Sequence, residues 1–99
     1  MSLYEITYIL RPHLEDPQVD EVATRFSSVA KDNGADGISV ERMGKRRLAY
    51  EIKKTREGHY VCMHFSGGAA AANEVVRQLR LNDDVLRALL VRGLNKRIL

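Results

Sequence analysis

The chain has 99 residues, 44% of them hydrophobic and 29% charged, which suits one globular domain and excludes both a two-domain and a disordered protein. Its net charge is only +3, but residues 1–41 carry 3 basic and 8 acidic side chains while residues 42–99 carry 13 basic and 5 acidic ones, and this asymmetry predicts one strongly positive region with an anionic partner. The single Cys62 excludes an internal disulfide and fits a reducing, cytoplasmic setting, and neither a membrane-spanning segment nor a signal peptide is expected.

The first part of the chain predicts a strand followed by a helix. Residues 3–10 alternate β-forming types and stop at Arg11-Pro12. The core side of this strand would carry Tyr4, Ile6, Tyr8 and Leu10. Asp16-Pro17 predicts an N-cap and a first helical residue, the apolar spacing of residues 19–30 predicts an amphipathic helix, and Asn33-Gly34 predicts its end.

A long antiparallel hairpin is predicted next. Residues 38–53 and 59–66 are rich in β-forming types, and residues 55–58 have the composition of a turn between them. Gly44 indicates a bulge in the first of these strands. On the first strand one face would be shared by Leu48, Tyr50 and Ile52. On the second strand, period two sets Val61, Met63 and Phe65 opposite Tyr60, Cys62 and His64.

The remaining residues predict a second helix and a last strand. Gly67-Gly68 break the chain, residues 72–79 have helical apolar spacing, and residues 85–92 predict a strand. The order βαββαβ indicates an α+β, ferredoxin-like fold with a four-stranded antiparallel sheet and two helices on one face. We expect a single domain over residues 1–93 and a short basic tail over residues 94–99, with the second sheet face open to a partner.

The basic segment between residues 42 and 56 is the densest chemical feature, with seven Lys or Arg and one Glu. Strand geometry would direct Lys45 and Arg47 to one side and Arg46 to the other. Arginine matches phosphate oxygens with a planar fork. Charges on an edge strand also discourage aggregation, but that role needs one or two cations and not seven. The segment therefore predicts binding of an anion such as nucleic acid.

Catalytic and metal-binding groups are sparse. Glu15 and Asp16 suit electrostatics at a helix start better than acid–base chemistry. His59 and His64 would face opposite sides of one strand, and Cys62 with His64 supplies only two ligands, so no metal, cofactor or enzymatic activity is predicted. The predicted third strand has an acidic first residue and one exposed aromatic, Tyr60, and therefore departs from the RNA-recognition-motif signature.

Three separated segments carry a recognisable pattern. The central one, Gly44–Lys53, has the form G-x-basic-polar-L-A-Y-x-I-basic, and it is flanked in order by Tyr4–Pro12 and Leu79–Arg87. Together they resemble the bacterial small-subunit ribosomal protein six family. The resemblance implies a non-enzymatic structural constituent of the small ribosomal subunit in the cytoplasm, which binds 16S ribosomal RNA in the central domain as a pair with ribosomal protein eighteen. The RNA-binding residues would be Arg42, Lys45, Arg46, Arg47, Lys53, Lys54 and Arg56. The partner-protein surface would use Tyr60, Leu89 and Val91.

The chain departs from this family in its ending, and other functions stay open. Some members carry a long acidic C-terminal extension modified by added glutamates, which is not expected from residues 95–99. The alternative is a small-molecule-binding or acylphosphatase-like domain on the same fold, but Glu15 and Asp16 lie beside Arg11 in its would-be anion cradle. Membrane binding through the basic segment is disfavoured because the segment lacks a continuous apolar face. We expect no membrane contact and no small-molecule substrate.

Overall fold

The computed structural model describes residues 2–93, which form four strands and two helices in the predicted order. The elements are β1 (Ser2–Leu10), α1 (Asp16–Asp32), β2 (Asp36–Ile52), β3 (Thr55–Gly67), α2 (Ala69–Leu81) and β4 (Val85–Arg92). The strands make one antiparallel sheet in the order β2-β3-β1-β4. The ferredoxin-like fold is therefore confirmed. The tail predicted over residues 94–99 lies outside the described residues.

The core lies between the two helices and one face of the sheet. Successive side chains of a strand point to opposite faces, and the apolar residues at every second position lie on the face that the helices cover. The sheet contributes Tyr4, Ile6, Tyr8, Leu10, Val61, Met63 and Phe65. Phe26 of α1 packs against Tyr8 with the ring centroids 6.1 Å apart, and Leu79 of α2 is fully buried. Neither of the two helices is both long and apolar enough to cross a lipid bilayer.

The other side of the sheet, called here the open face, is covered by neither α1 nor α2. It carries residues of β1, β3 and β4 that alternate with the core residues along each strand. They are Glu5, Thr7, Ile9, Tyr60, Cys62, His64, Arg87, Leu89 and Val91. Burial on this face is uneven, since Ile9 and Cys62 are buried and Leu89 is exposed. A partner that docks on a face of the sheet would contact the open face, because α1 and α2 cover the other one.

Helix α1 begins one residue earlier than the sequence predicts. The predicted N-cap, Asp16, is wrong: Glu15 holds that position, and its backbone N–H donates to the side-chain carbonyl of Gln18 at 2.8 Å. Asp16 instead accepts a charge-assisted hydrogen bond from Arg42 of β2. The predicted end is confirmed, because Asn33 caps the helix.

The hairpin turn lies at Lys53 and Lys54, not at residues 55–58 as predicted. Both lysines have positive φ, 50° and 62°, and Ile52 pairs with Thr55 across them. A two-residue turn with positive φ at both positions matches the twist of the flanking strands, and this geometry outweighs the turn-like composition of residues 55–58. The bulge predicted at Gly44 is confirmed by a register shift there.

Candidate nucleic-acid and protein interface

The basic hairpin, defined as residues 42–56, lies at the edge of the sheet opposite β4. Lys45, Arg46 and Arg47 pair with three consecutive residues of β3, so alternate side chains leave opposite sides of the strand as predicted. All three residues are exposed, and so are Lys53, Lys54 and Arg56 nearer the turn. Cations are therefore displayed on both sides of the hairpin and at its end.

Arg42 differs from the other cations because two carboxylates neutralise it. Its guanidinium donates to Asp16 at 2.8 Å and to Asp20 at 2.9 Å, both on α1. The hydrogen bond from Arg42 lowers the pKa of Asp16 below its usual value, and the same bond raises the pKa of Arg42. Arg42 thus ties β2 to α1 and offers less charge to an external anion than sequence counting suggests.

The remaining cations of the basic hairpin are largely free of acidic partners. Arg56 forms an exposed pair with Glu51 at 3.3 Å, a contact of the kind that contributes little in water. Arg46 donates its Nε–H to the carbonyl of Met43 at 3.1 Å, which orients the guanidinium without neutralising it. Within residues 2–93, five hairpin cations form no ion pair. They are Lys45, Arg46, Arg47, Lys53 and Lys54.

The end of the basic hairpin bends over the open face. Between the Arg47–Glu57 pair and the Ile52–Thr55 pair, four residues of β2 face a single residue of β3. This extra length lets Tyr50 reach β4, the opposite edge of the sheet, where Arg87 donates a hydrogen bond to its hydroxyl. The Arg87 guanidinium also lies 5.8 Å from the centre of the Tyr50 ring, within cation–π range.

An apolar groove forms beneath this bend. It has a volume of about 220 Å³. Its walls include Ile9, Leu48, Ile52, Tyr60 and Leu89. Two of the three predicted partner-binding residues, Tyr60 and Leu89, therefore share one groove. Val91 lies further along the same face, opposite Glu5 of β1.

The structure brings a third polar group to the two that the sequence analysis noted on β3. Glu5 of β1 pairs with His64 in the sheet register, so its carboxylate lies beside Cys62 and His64 on the open face. Sequence analysis missed this neighbour because Glu5 is 59 positions away from His64. His59, by contrast, is buried on the helix side and its Nε2 is 2.8 Å from the carbonyl of Leu14. The predicted opposite orientation of the two histidines is therefore confirmed.

The loop after β1 serves a structural contact. Arg11, the residue considered for an anion cradle, donates its Nε–H to the carbonyl oxygen of Asp83 at 2.8 Å. Its backbone N–H donates to the carbonyl of Asp84 at 2.9 Å. Arg11 thus fastens this loop to the segment before β4, and the geometry gives no support to an acylphosphatase-like site.

Comparisons with known proteins cover the whole described fold. The family model for Ribosomal protein S6 matches residues 3–92. The chain is 44% identical over 89 residues to small ribosomal subunit protein bS6 of Carboxydothermus hydrogenoformans, covering 90% of this chain and 93% of that one. It is 46% identical over 92 residues to the bS6 protein of Halalkalibacterium halodurans, covering 93% and 97%. The crystal structure of 30S ribosomal protein S6 from Thermotoga maritima superposes with a TM-score of 0.84 at 26% identity, covering 98% of this chain and 92% of that one.

Proposed function

The chain belongs to the ribosomal protein S6 family, and from that premise we propose that it binds 16S ribosomal RNA together with ribosomal protein eighteen in the small ribosomal subunit of the cytoplasm. It is a structural protein and not an enzyme, as the names of its relatives indicate. The observation that carries the proposal is the set of five hairpin cations that form no close ion pair among residues 2–93.

The RNA contact would be made through phosphates more than through bases. Lys45 and Arg47 leave one side of the strand and Arg46 leaves the other, so the basic hairpin can lie between two segments of phosphate backbone. Lys53 and Lys54 extend this charge to the turn, where positive φ directs the chain sharply back. Arg42 would contribute least, because Asp16 and Asp20 already offset its charge.

Ribosomal protein eighteen would dock on the open face. Leu89 is half exposed there, and a leucine left in water next to an apolar groove favours a protein partner. Tyr60 lines the same groove, and an aromatic ring with a polar hydroxyl is a residue type that interfaces favour. Val91 would extend this surface toward the end of β4.

The RNA proposal is tested by the salt dependence of binding to a 16S central-domain fragment, with and without ribosomal protein eighteen. Each phosphate contact should contribute a slope of about −0.7 to −0.9 in a plot of log affinity against log salt concentration. R46A/R47A should weaken binding and flatten the slope by about 1.4 to 1.8, because two contacts are lost. The matched control R25A/R80A removes two exposed arginines from the helices and should leave the slope unchanged. An affinity independent of salt, or equal losses in both double variants, would contradict the proposal.

The protein partner is tested with two exposed leucines. L89A should weaken binding to ribosomal protein eighteen, whereas L81A should not, because Leu81 is exposed on α2 on the other side of the sheet. Binding is measured by calorimetry with purified components. Equal affinities for L89A and the unchanged chain would contradict the proposal that the partner docks on the open face.

A further inference from the structure

The geometry points to a zinc site on the open face, made by Glu5 of β1 together with Cys62 and His64 of β3. The carboxylate oxygen, the thiol sulfur and the imidazole nitrogen that each residue offers all lie within 4.8 Å of one another. His64 Nε2 is 3.1 Å from Glu5 Oε1 and 3.8 Å from Cys62 Sγ. Ligand atoms on a tetrahedral zinc ion are about 3.3 to 3.6 Å apart, given zinc bonds of about 2.0 to 2.3 Å. The two distances to His64 Nε2 differ from these values by a few tenths of an ångström, and the Glu5–Cys62 separation, which is within 4.8 Å, would shorten by up to about 1.2 Å as side-chain rotations bring both groups onto one ion.

The ring nitrogen of His64 that is contacted distinguishes a metal site from a catalytic relay. In a relay, the carboxylate contacts one ring nitrogen and the nucleophile contacts the other. Here both Glu5 and Cys62 face the same atom, Nε2 of His64. The three potential ligand atoms therefore cluster at one nitrogen of the ring, where a shared ion can bridge them.

The chemistry of the three groups suits zinc more than a harder or softer cation. Thiolate, imidazole and carboxylate are the three ligand types that zinc uses in proteins, whereas magnesium and calcium prefer oxygen alone. Thr7 donates its hydroxyl to Cys62 Sγ at 3.6 Å, a supporting contact of the kind that orients a ligand from outside the first layer. The side chains of Glu5 and His64 are 12% and 24% exposed, so an ion would be partly shielded but reachable from solvent.

Binding would balance charge and protons as follows. The Cys62 thiol gives its proton to solvent and binds as thiolate, Glu5 binds as carboxylate, and neutral His64 binds through Nε2 with its proton on Nδ1. The two negative charges then match the two positive charges of the ion. All three ligands come from the sheet, which leaves the fourth position on the outer side of the open face for water.

Cobalt(II) is the probe, because it occupies zinc sites and reports a thiolate ligand by its absorption. The full chain, stripped of metal with a chelator, is titrated with cobalt and then with zinc. We expect one cobalt per chain, a thiolate-to-cobalt charge-transfer band, the strong visible bands of tetrahedral cobalt, and displacement by one equivalent of zinc. H64Q and C62S should abolish the charge-transfer band, and E5Q should weaken zinc binding by about 10- to 100-fold or more, the range that even the loss of an outer contact produces.

Two control variants separate coordination from folding. H13Q removes an exposed histidine far from the cluster, and T7V removes the supporting hydroxyl but no ligand, so both should retain the band and the one-to-one stoichiometry. Circular dichroism verifies the fold of each variant. If C62S does not fold, H64Q still tests the proposal, because the side chain that it replaces is partly exposed. Absence of the charge-transfer band in the unchanged chain, or its survival in H64Q, would overturn the proposal and leave a plain hydrogen bond between Glu5 and His64.

Discussion

The two faces of the sheet come from the same strands but do different work. On the helix side, Tyr8 and Ile6 are fully buried under α1 and α2. On the open face, Glu5 and Thr7, which alternate with these two residues along β1, contact a histidine and a cysteine of the neighbouring strand β3. Period-two alternation thus gives stability to one face and leaves the other available for ligands and partners. A substitution should therefore act on folding or on binding according to the parity of its position.

The strongest test of this comparison replaces one leucine on each side. L79A removes a fully buried side chain of α2 and should lower the free energy of unfolding by about 2 to 5 kcal/mol. L89A makes the same change on the open face, where the leucine is 50% exposed, and should cost less than about 1 kcal/mol. Urea unfolding followed by circular dichroism measures both. Similar losses for the two variants would show that the open face also carries folding energy.

A second test concerns Gly58 of β3, where the open face has no room for a larger side chain. A Cβ on Gly58 would lie 2.6 Å from Ile9 Cγ2 and 2.7 Å from the carbonyl oxygen of Leu10, and that backbone atom cannot move aside easily. G58A should therefore destabilise the protein by about 1 to 3 kcal/mol, the usual cost of overpacking. The control is G68S, because Gly68 is the N-cap of α2, where serine is favoured, and a Cβ there meets nothing within 4 Å. Unfolding midpoints in urea compare the two, and an unaffected G58A would mean that β1 and β3 separate readily at this end.

Substitutions in the turn of the basic hairpin should change the free energy of unfolding and the RNA affinity in opposite directions. Lys53 and Lys54 both have positive φ, which side chains larger than glycine disfavour. K53N/K54G supplies the residues that such a turn prefers and should raise the free energy of unfolding by about 1 kcal/mol. The same change removes two cations and should weaken RNA binding.

The control for this pair keeps the charge. K53R/K54R should leave both the unfolding free energy and the RNA affinity close to those of the unchanged chain. Filter binding gives the affinity and thermal unfolding gives the stability. If K53N/K54G binds RNA as tightly as the unchanged chain, the turn does not take part in the contact.

The smallest expected effect concerns the ion pair that ties β2 to α1. Its hydrogen bond to Arg42 lowers the pKa of Asp16 in the folded protein. The unfolded chain, with an Asp pKa of about 3.9, then binds more protons than the folded one below that pH. The stabilisation is therefore present above about pH 4 and is lost as the pH falls through the lower folded pKa.

D16N should remove this dependence. At neutral pH, D16N should melt slightly below the unchanged chain, and the difference should disappear in acid. D36N changes an exposed aspartate that forms no ion pair within residues 2–93, and it should show no such convergence. Melting temperatures measured between pH 7 and strongly acidic pH follow both, and a constant difference for D16N would contradict the ion-pair explanation.

Local pattern predicted most of the fold. The alternation in residues 3–10 and 59–66 identified which side chains enter the core, because burial on one face requires period two whatever the neighbouring strand is. The helix end at Asn33-Gly34 and the bulge at Gly44 also follow from local backbone preferences. Two local predictions failed, at Asp16 and at residues 55–58. Each failure has a cause that local composition does not contain. Arg42 attracts the carboxylate of Asp16, and the twist of the paired strands favours Lys53 and Lys54 as the turn residues.

The candidate sites divide in the same way. The charge of the basic hairpin and the alternation of its cations can be predicted from the residue order, since both depend on neighbouring residues only. Three other features arise only when the chain is folded: Asp16 and Asp20 neutralise Arg42, Tyr50 crosses the sheet to Arg87, and Glu5 lies beside Cys62 and His64. Each of these contacts joins residues more than 20 positions apart, and strand register and helix packing, which no local pattern encodes, bring them together.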